Sequence, residues 1–181
     1  RFDLPNGMKG AMLSKKTRGQ TVNATLQLHF GNEKDLQGYD EIGGITAAML
    51  MRGSVHRNRQ QIADELDRLK AQIRVTGSAE NLIVSITTTK PKLPAVLELL
   101  AEVLRSPAFD SQEFAKEVNE QITAYEETRN EPANVARNAL LRHISPYPKG
   151  HPRYAATIDE AIAEIKSLKI EDVRAFHRDF Y

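Results

Sequence analysis

The sequence predicts an α+β layer, an antiparallel β-sheet with helices packed mainly on one face. Three observations lead there. Thr21–Phe30 and Asn81–Lys90 alternate apolar and polar residues with period two. From Pro91 onward the apolar positions instead recur every three or four residues. The two kinds of stretch follow one another as ββ, β, αα, ββ and then an α-rich remainder.

Asn6-Gly7 is a two-residue hairpin turn, because both residue types tolerate positive φ. It joins a strand over Arg1–Leu4 to a second over Lys9–Ser14. In Thr21–Phe30, Val22, Ala24, Leu26, Leu28 and Phe30 form the buried face, opposite Thr21, Asn23, Thr25, Gln27 and His29. Gly31–Gly38 is a polar loop. Ile42, Ile45, Met49 and Leu50 mark a helix that stops at Gly53, and Arg52-Gly53-Ser54 reads as the stop and turn. Asn58 caps a second helix through Ile62, Leu66 and Leu69.

Strands over Ala71–Ser78 and Asn81–Lys90 meet at a tight turn, Ala79-Glu80. Pro91 and Pro94 end the sheet and start a helix through Val96, Leu97, Leu100, Val103 and Leu104. Asp110 to Glu113 is a capping-box pattern ahead of Phe114, Val118, Ile122 and Tyr125. Glu131-Pro132 interrupts that helix and admits another through Val135, Ala139 and Leu140. Thr157 to Glu160 repeats the capping-box pattern before Ile162 and Ile165, and a final helix presents Val173, Phe176 and Phe180.

A chain of 181 residues can bury a substantial core as one domain or two small ones. Its net charge of +1 gives no electrostatic case for nucleic acid or an anionic membrane. With no cysteine there are no disulfides and no thiolate ligands or nucleophiles. No apolar run is long enough to span a bilayer, and no basic-then-apolar leader opens the chain. The start at Arg1 rather than Met, and the end directly after a helical pattern, lead us to expect a piece of a longer polypeptide.

Five histidines are the candidate metal ligands. His29 falls on the polar face of its strand, His56 in a turn and His177 in the last helix. His143 and His151 bracket the Tyr147–Pro152 loop and could approach one another as an unrelated metal or enzyme site. None has the i, i+4 pairing with a carboxylate that zinc helices use, and solvated or hydrogen-bonded rings are the plainer reading. Glu113, Glu117, Glu120, Glu126, Glu127 and Glu131 make one helix acidic. They read as a solvated face partly paired with Lys116 and Arg129, the alternative being an acid–base carboxylate pair. Gly43-Gly44 lacks the glycine spacing and lysine of a phosphate loop and reads as close backbone packing.

Several segments recur in a known order: Leu4-Pro5-Asn6-Gly7-Met8, Leu28-His29-Phe30-Gly31-Asn32-Glu33, and Met49-Leu50-Met51-Arg52-Gly53-Ser54. Arg59-Gln60-Gln61-Ile62, Glu65 to Ala71, Ser106-Pro107-Ala108-Phe109 and Tyr147-Pro148-Lys149-Gly150-His151-Pro152 continue the series. Together they resemble the insulinase/pitrilysin type of zinc peptidase, the inverted zincins, whose metal helix bears H-x-x-E-H. The resemblance implies an α+β half that pairs with homologous halves around an unfolded peptide. It points to the non-catalytic part of a longer bacterial protein, with a periplasmic or envelope setting.

On that resemblance the motif positions are Gly44, Ala47 and Ala48, and the third ligand falls at about Ala124, beside Glu126 and Glu127. None offers a metal ligand, so the expectation is no zinc and no cleavage by this domain, with zinc in the parent protein's catalytic half. The expected partners are the other halves of the same polypeptide and a peptide substrate. The peptide would lie along the alternating strand Thr21–Phe30 and the loops Gly31–Tyr39 and Tyr147–Tyr154, touching Asn32, Glu33, Tyr147, His151 and Tyr154; the strand reads equally as an ordinary half-buried one. A structural or assembly module on the same fold, without a role in proteolysis, is the alternative.

Overall fold

The computed structural model describes residues 1–39 and 41–181, apart from the side chain of Arg18. Three strands carry the core: β3 (Thr21–His29), β4 (Gln72–Gly77) and β5 (Asn81–Thr89), numbered after a separate two-residue pair, β1 (Phe2–Asp3) and β2 (Lys9–Gly10). The sheet is antiparallel in the order β3-β5-β4. The alternation read from sequence becomes two faces. Leu82, Val84 and Ile86 of β5 are buried, with Leu28, Leu26 and Ala24 of β3 opposite them. Asn23, Thr25, Gln27, Ser85, Thr87, Gln72, Arg74 and Thr76 cover the other face and are exposed.

The N-terminal hairpin is shorter than its sequence pattern. Gly7 takes the expected positive φ of 84°, and Asn6 Oδ1 accepts the Met8 amide at 3.2 Å. Pairing nevertheless stops at Gly10, and Met12 and Leu13 are 82% and 77% exposed. A two-stranded ribbon with no buried face cannot sustain a longer ladder.

Among the described residues seven α-helices follow: α1 (Ile42–Leu50), α2 (Arg59–Arg68), α3 (Leu93–Arg105), α4 (Ser111–Arg129), α5 (Pro132–Ile144), α6 (Ile158–Ser167) and α7 (Ile170–Phe180). None in the described residues is long and apolar enough to cross a membrane. Their starts follow local chemistry. Asn58 and Gln61 exchange both capping bonds at 2.9 Å, and Thr157 and Glu160 do the same at 3.0 and 2.9 Å. Asp110 caps α4 through the amides of Gln112 and Glu113 at 2.9 and 3.0 Å.

Helix α1 lies against the inner end of the sheet because small residues permit it. A Cβ on Gly43 would fall 2.2 Å from the Ser78 carbonyl oxygen, and one on Gly77 would fall 2.6 Å from Ala47 Cβ. An aromatic group from α7 and the β3 end closes this side, with Phe30–Phe176 centroids at 6.0 Å and Phe176–Phe180 at 4.9 Å. Tyr181 donates to the Gly43 carbonyl at 3.4 Å, and burial pushes its hydroxyl above the usual phenol range.

The acidic helix departs from the expected solvated face. Glu113 does not complete its capping box; it turns with Glu117 and Glu120 toward Arg52, just beyond α1. The three carboxylates, spaced four and three residues apart, accept from one guanidinium at 3.2, 2.6 and 2.5 Å. Arg52 and Glu117 are buried, at 8% and 4% exposure. Burial opposes the Arg52 charge, but Glu120 and Glu117 outweigh it and hold the guanidinium above its ordinary pKa. Lys116 pairs with Glu113 at 2.6 Å and Arg129 with Glu126 at 3.6 Å, as the sequence suggested.

Replacing Arg52 by Met leaves buried Glu117 without a counter-charge, and chemical denaturation should register a loss of about 3–5 kcal/mol. A second measurement concerns Glu160. The Thr157 amide, Lys149 and the Tyr154 hydroxyl hold its carboxyl down at about 2. Because the folded pKa lies below the ordinary value, this contribution is complete above about pH 4.5. It disappears as pH falls toward 2. Glu160→Gln keeps the cap and should flatten the stability profile across that window.

Candidate functional site

Gly44, Ala47 and Ala48 occupy one face of α1, as positions i, i+3 and i+4 must. Ala47 is 1% exposed and meets the backbone of Gly77; Gly44 and Ala48 are half-buried. On α4, Ala124 is exposed and lines a shallow depression with Glu127, Thr128, Asn130, Glu131 and Asn134. The residue of α4 that reaches the start of α1 is the next one. Tyr125 donates its hydroxyl to Glu41, with contacts of 2.9 and 3.1 Å to the two carboxylate oxygens. Burial and the Glu41 charge hold that phenol above its usual range.

A metal needs donor atoms, and glycine and alanine side chains supply none. Among the described residues, no group of three or more His, Asp or Glu side chains is placed to hold a metal ion. The residues present on this face do not fit a zinc ion.

A second arrangement lies where β3 ends. The loop after β3 and the loop after α5 clasp each other: the Gly38 amide donates to the Gly150 carbonyl at 3.0 Å, and His151 Nε2 lies 3.2 Å from Glu33 Oε1. Asn32 shapes the first loop from within, its Oδ1 accepting the amides of Lys34 and Asp35 at 3.0 and 3.2 Å. Leu36 anchors that loop in the core. In the second loop Tyr147 stacks on His151, with centroids 4.1 Å apart and planes inclined by 16°.

Two adjoining cavities open here. One, of about 380 Å³, is lined by His29, Asn32, Glu33, Glu80, Tyr147, His151 and Arg153 together with Phe30, Gly31 and Leu36. The other, about 590 Å³, shares Glu33, Tyr147 and His151 with it. Four of the five residues singled out from sequence, Asn32, Glu33, Tyr147 and His151, therefore meet at one groove. The fifth, Tyr154, is in neither lining; its hydroxyl donates to Glu160 at 3.0 Å and supports the α6 cap.

Glu80 and Arg153 were not singled out. They pair at 3.1 Å across the groove floor. Their signal lay in strand register: His29 opposite Asn81 puts the β4–β5 turn beside Phe30, whose amide donates to the Glu80 carbonyl at 3.2 Å.

The other histidines have ordinary settings. His177 Nε2 contacts the Leu104 carbonyl at 2.8 Å. His56 is exposed in the turn between α1 and α2. His143 is exposed near the end of α5 and is not among the residues lining the groove with His151.

Comparison with known proteins places this geometry. Residues 11–154 match the family model described as Insulinase (Peptidase family M16). The alpha-1 subunit of the mitochondrial-processing peptidase of Dictyostelium discoideum is 20% identical over 142 residues, 78% of this chain and 21% of that protein. The alpha subunit from Solanum tuberosum is 20% identical over 93% of this chain and 33% of its own length. The chain thus spans a third or less of these curated relatives.

Among solved structures, a peptidase M16 inactive domain from Pseudomonas fluorescens superposes with a TM-score of 0.75 at 22% identity, covering 90% of this chain and 39% of that one. Pitrilysin superposes with a TM-score of 0.63 at 15% identity, over 91% of this chain and 18% of its own. These likenesses establish the α+β fold, and the family match extends over most of the sequence. The chain belongs to the insulinase family, peptidase family M16, whose members are in general zinc peptidases.

Proposed function

We propose that this chain is a non-catalytic domain of a family M16 metallopeptidase. It forms part of the wall of the peptide chamber and helps hold an extended peptide, while another half of the protein carries the zinc. The observation that carries this reading is the packing of α1. The motif face lacks donors, and its central position, Ala47, is filled by the approach of Gly77. A glutamate there would have to bury a carboxylate against backbone, so the sheet contact and the catalytic residue exclude one another.

Two features support the peptide-holding role. One edge of β3 pairs with β5, and the pairing recorded for the described residues leaves its other edge open. An extended peptide can add there as a further strand, satisfying the unpaired amides and carbonyls. The same strand leads at His29 into the groove of Glu33, Tyr147 and His151.

Helix α5 supports the wall role. Ala133, Ala136, Leu140 and Ile144, spaced three and four residues apart, are all exposed. Asn138, on the opposite side, donates to the Ala156 carbonyl at 3.1 Å. A helix of this length gains too little from its own hydrogen bonds, and its apolar stripe suits a neighbouring domain of the longer polypeptide.

Two measurements test the reading. A fluorescent, unfolded peptide titrated into the protein should bind saturably and remain uncut, and Tyr147→Ala should weaken binding about fivefold. No saturable binding would remove the peptide role and favour a purely structural module. Separately, Ala47→Glu should cost about 3 kcal/mol or more of folding stability. A variant as stable as the parent would overturn the packing argument.

A further inference from the structure

We propose that the groove at Glu33, Tyr147 and His151 is a recognition site for one basic side chain of the bound peptide, arginine above lysine. The inference rests on the peptide-holding reading and specifies what the groove selects.

One proton decides the charge of the groove. The Arg153 backbone amide donates to His151 Nδ1 at 3.0 Å, so that nitrogen carries a lone pair and no hydrogen. The imidazole hydrogen therefore resides on Nε2, which points at Glu33 Oε1 from 3.2 Å. His151 is in this arrangement a neutral donor to Glu33, not its counter-ion. The other cations of the groove have carboxylates of their own. Lys149 pairs with Glu160 at 3.1 Å and Arg153 with Glu80 at 3.1 Å.

Glu33 consequently brings an uncompensated negative charge to the junction of the two cavities, and its side chain is 71% exposed. The stacked Tyr147 and His151 rings line the same junction. A carboxylate beside an aromatic pair is complementary to a cation with a flat face. Arginine can fork two N–H groups onto the carboxylate while lying on a ring; lysine offers the charge without the plane. The site lies beyond the His29 end of β3. A peptide paired along that edge would present side chains to it in turn, and the site would fix the peptide's register.

The test uses two extended, fluorescent peptides identical except for one central residue, arginine in one and its neutral isostere citrulline in the other. Anisotropy titration of the whole chain should show the arginine peptide binding about tenfold more tightly. Glu33→Gln should erase that difference, bringing the arginine peptide down to the affinity of the citrulline peptide. Glu127→Gln, which removes an exposed charge on α4, should preserve it. Equal affinity for the two peptides would overturn the basic-side-chain site and leave peptide holding intact. Loss of the difference in both variants would overturn it too, by reducing it to net charge. Failure of both peptides to bind would overturn this inference together with the reading beneath it.

Discussion

The contact between α1 and the end of the sheet is the constraint from which the rest of the structure follows. Gly43 against Ser78 and Ala47 against Gly77 bring helix and strand backbones closer than ordinary side chains allow. That approach fixes α1 over β4, lets Tyr181 reach the Gly43 carbonyl, and sets Arg52 where α4 can surround it with three carboxylates. Dispersion and apolar burial reward the contact, but only while each residue involved stays small. A face packed this tightly on the sheet leaves no volume for a larger side chain at Ala47.

Arg52 shows how such a helix is held from its other end. A buried guanidinium is favourable only when nearly all its donors are satisfied, and Glu113, Glu117 and Glu120 satisfy them from successive turns of α4. The cluster is near neutral once Lys116 and Arg59, both beside Glu113, are included. It therefore joins α1, α2 and α4 without leaving a strong local field. The Ser54 hydroxyl extends the joint by accepting the amides of His56 and Arg57 at 3.1 and 2.9 Å. The turn after α1 is thus a hub rather than a simple helix stop.

The sequence made the framework legible because each strand and helix carries its own period. Leu82, Val84 and Ile86 announce a buried strand face without help from any partner, and Thr157 with Glu160 announces a helix start. What sequence could not express was pairing between distant segments. The six glutamates near α4 look alike in one dimension; only the position of Arg52 separates the three that pair with it from the others. Residues of the groove were legible where a loop is itself polar and aromatic, as with Glu33 and Tyr147. They were hidden where register brings them in, as with Glu80. Met12 and Leu13 mark the opposite failure, since an apolar pair reads as strand until the partner that would bury it is asked for.

The open edge of β3 and the groove beyond it are linked by one element, the loop that follows His29. A strand edge alone recognises backbone and accepts many sequences; side-chain selection must come from what lies alongside. On the proposed reading, the selecting groups sit in two loops tied together by Gly38 and Gly150 and steadied by Leu36 and the Glu160 network. Holding them costs little at the moment of binding, because Arg153 and Asn32 have already fixed the ring and the turn. On the proposed reading, a domain built this way holds a peptide with side chains that it does not share with the Gly44, Ala47 and Ala48 face of α1.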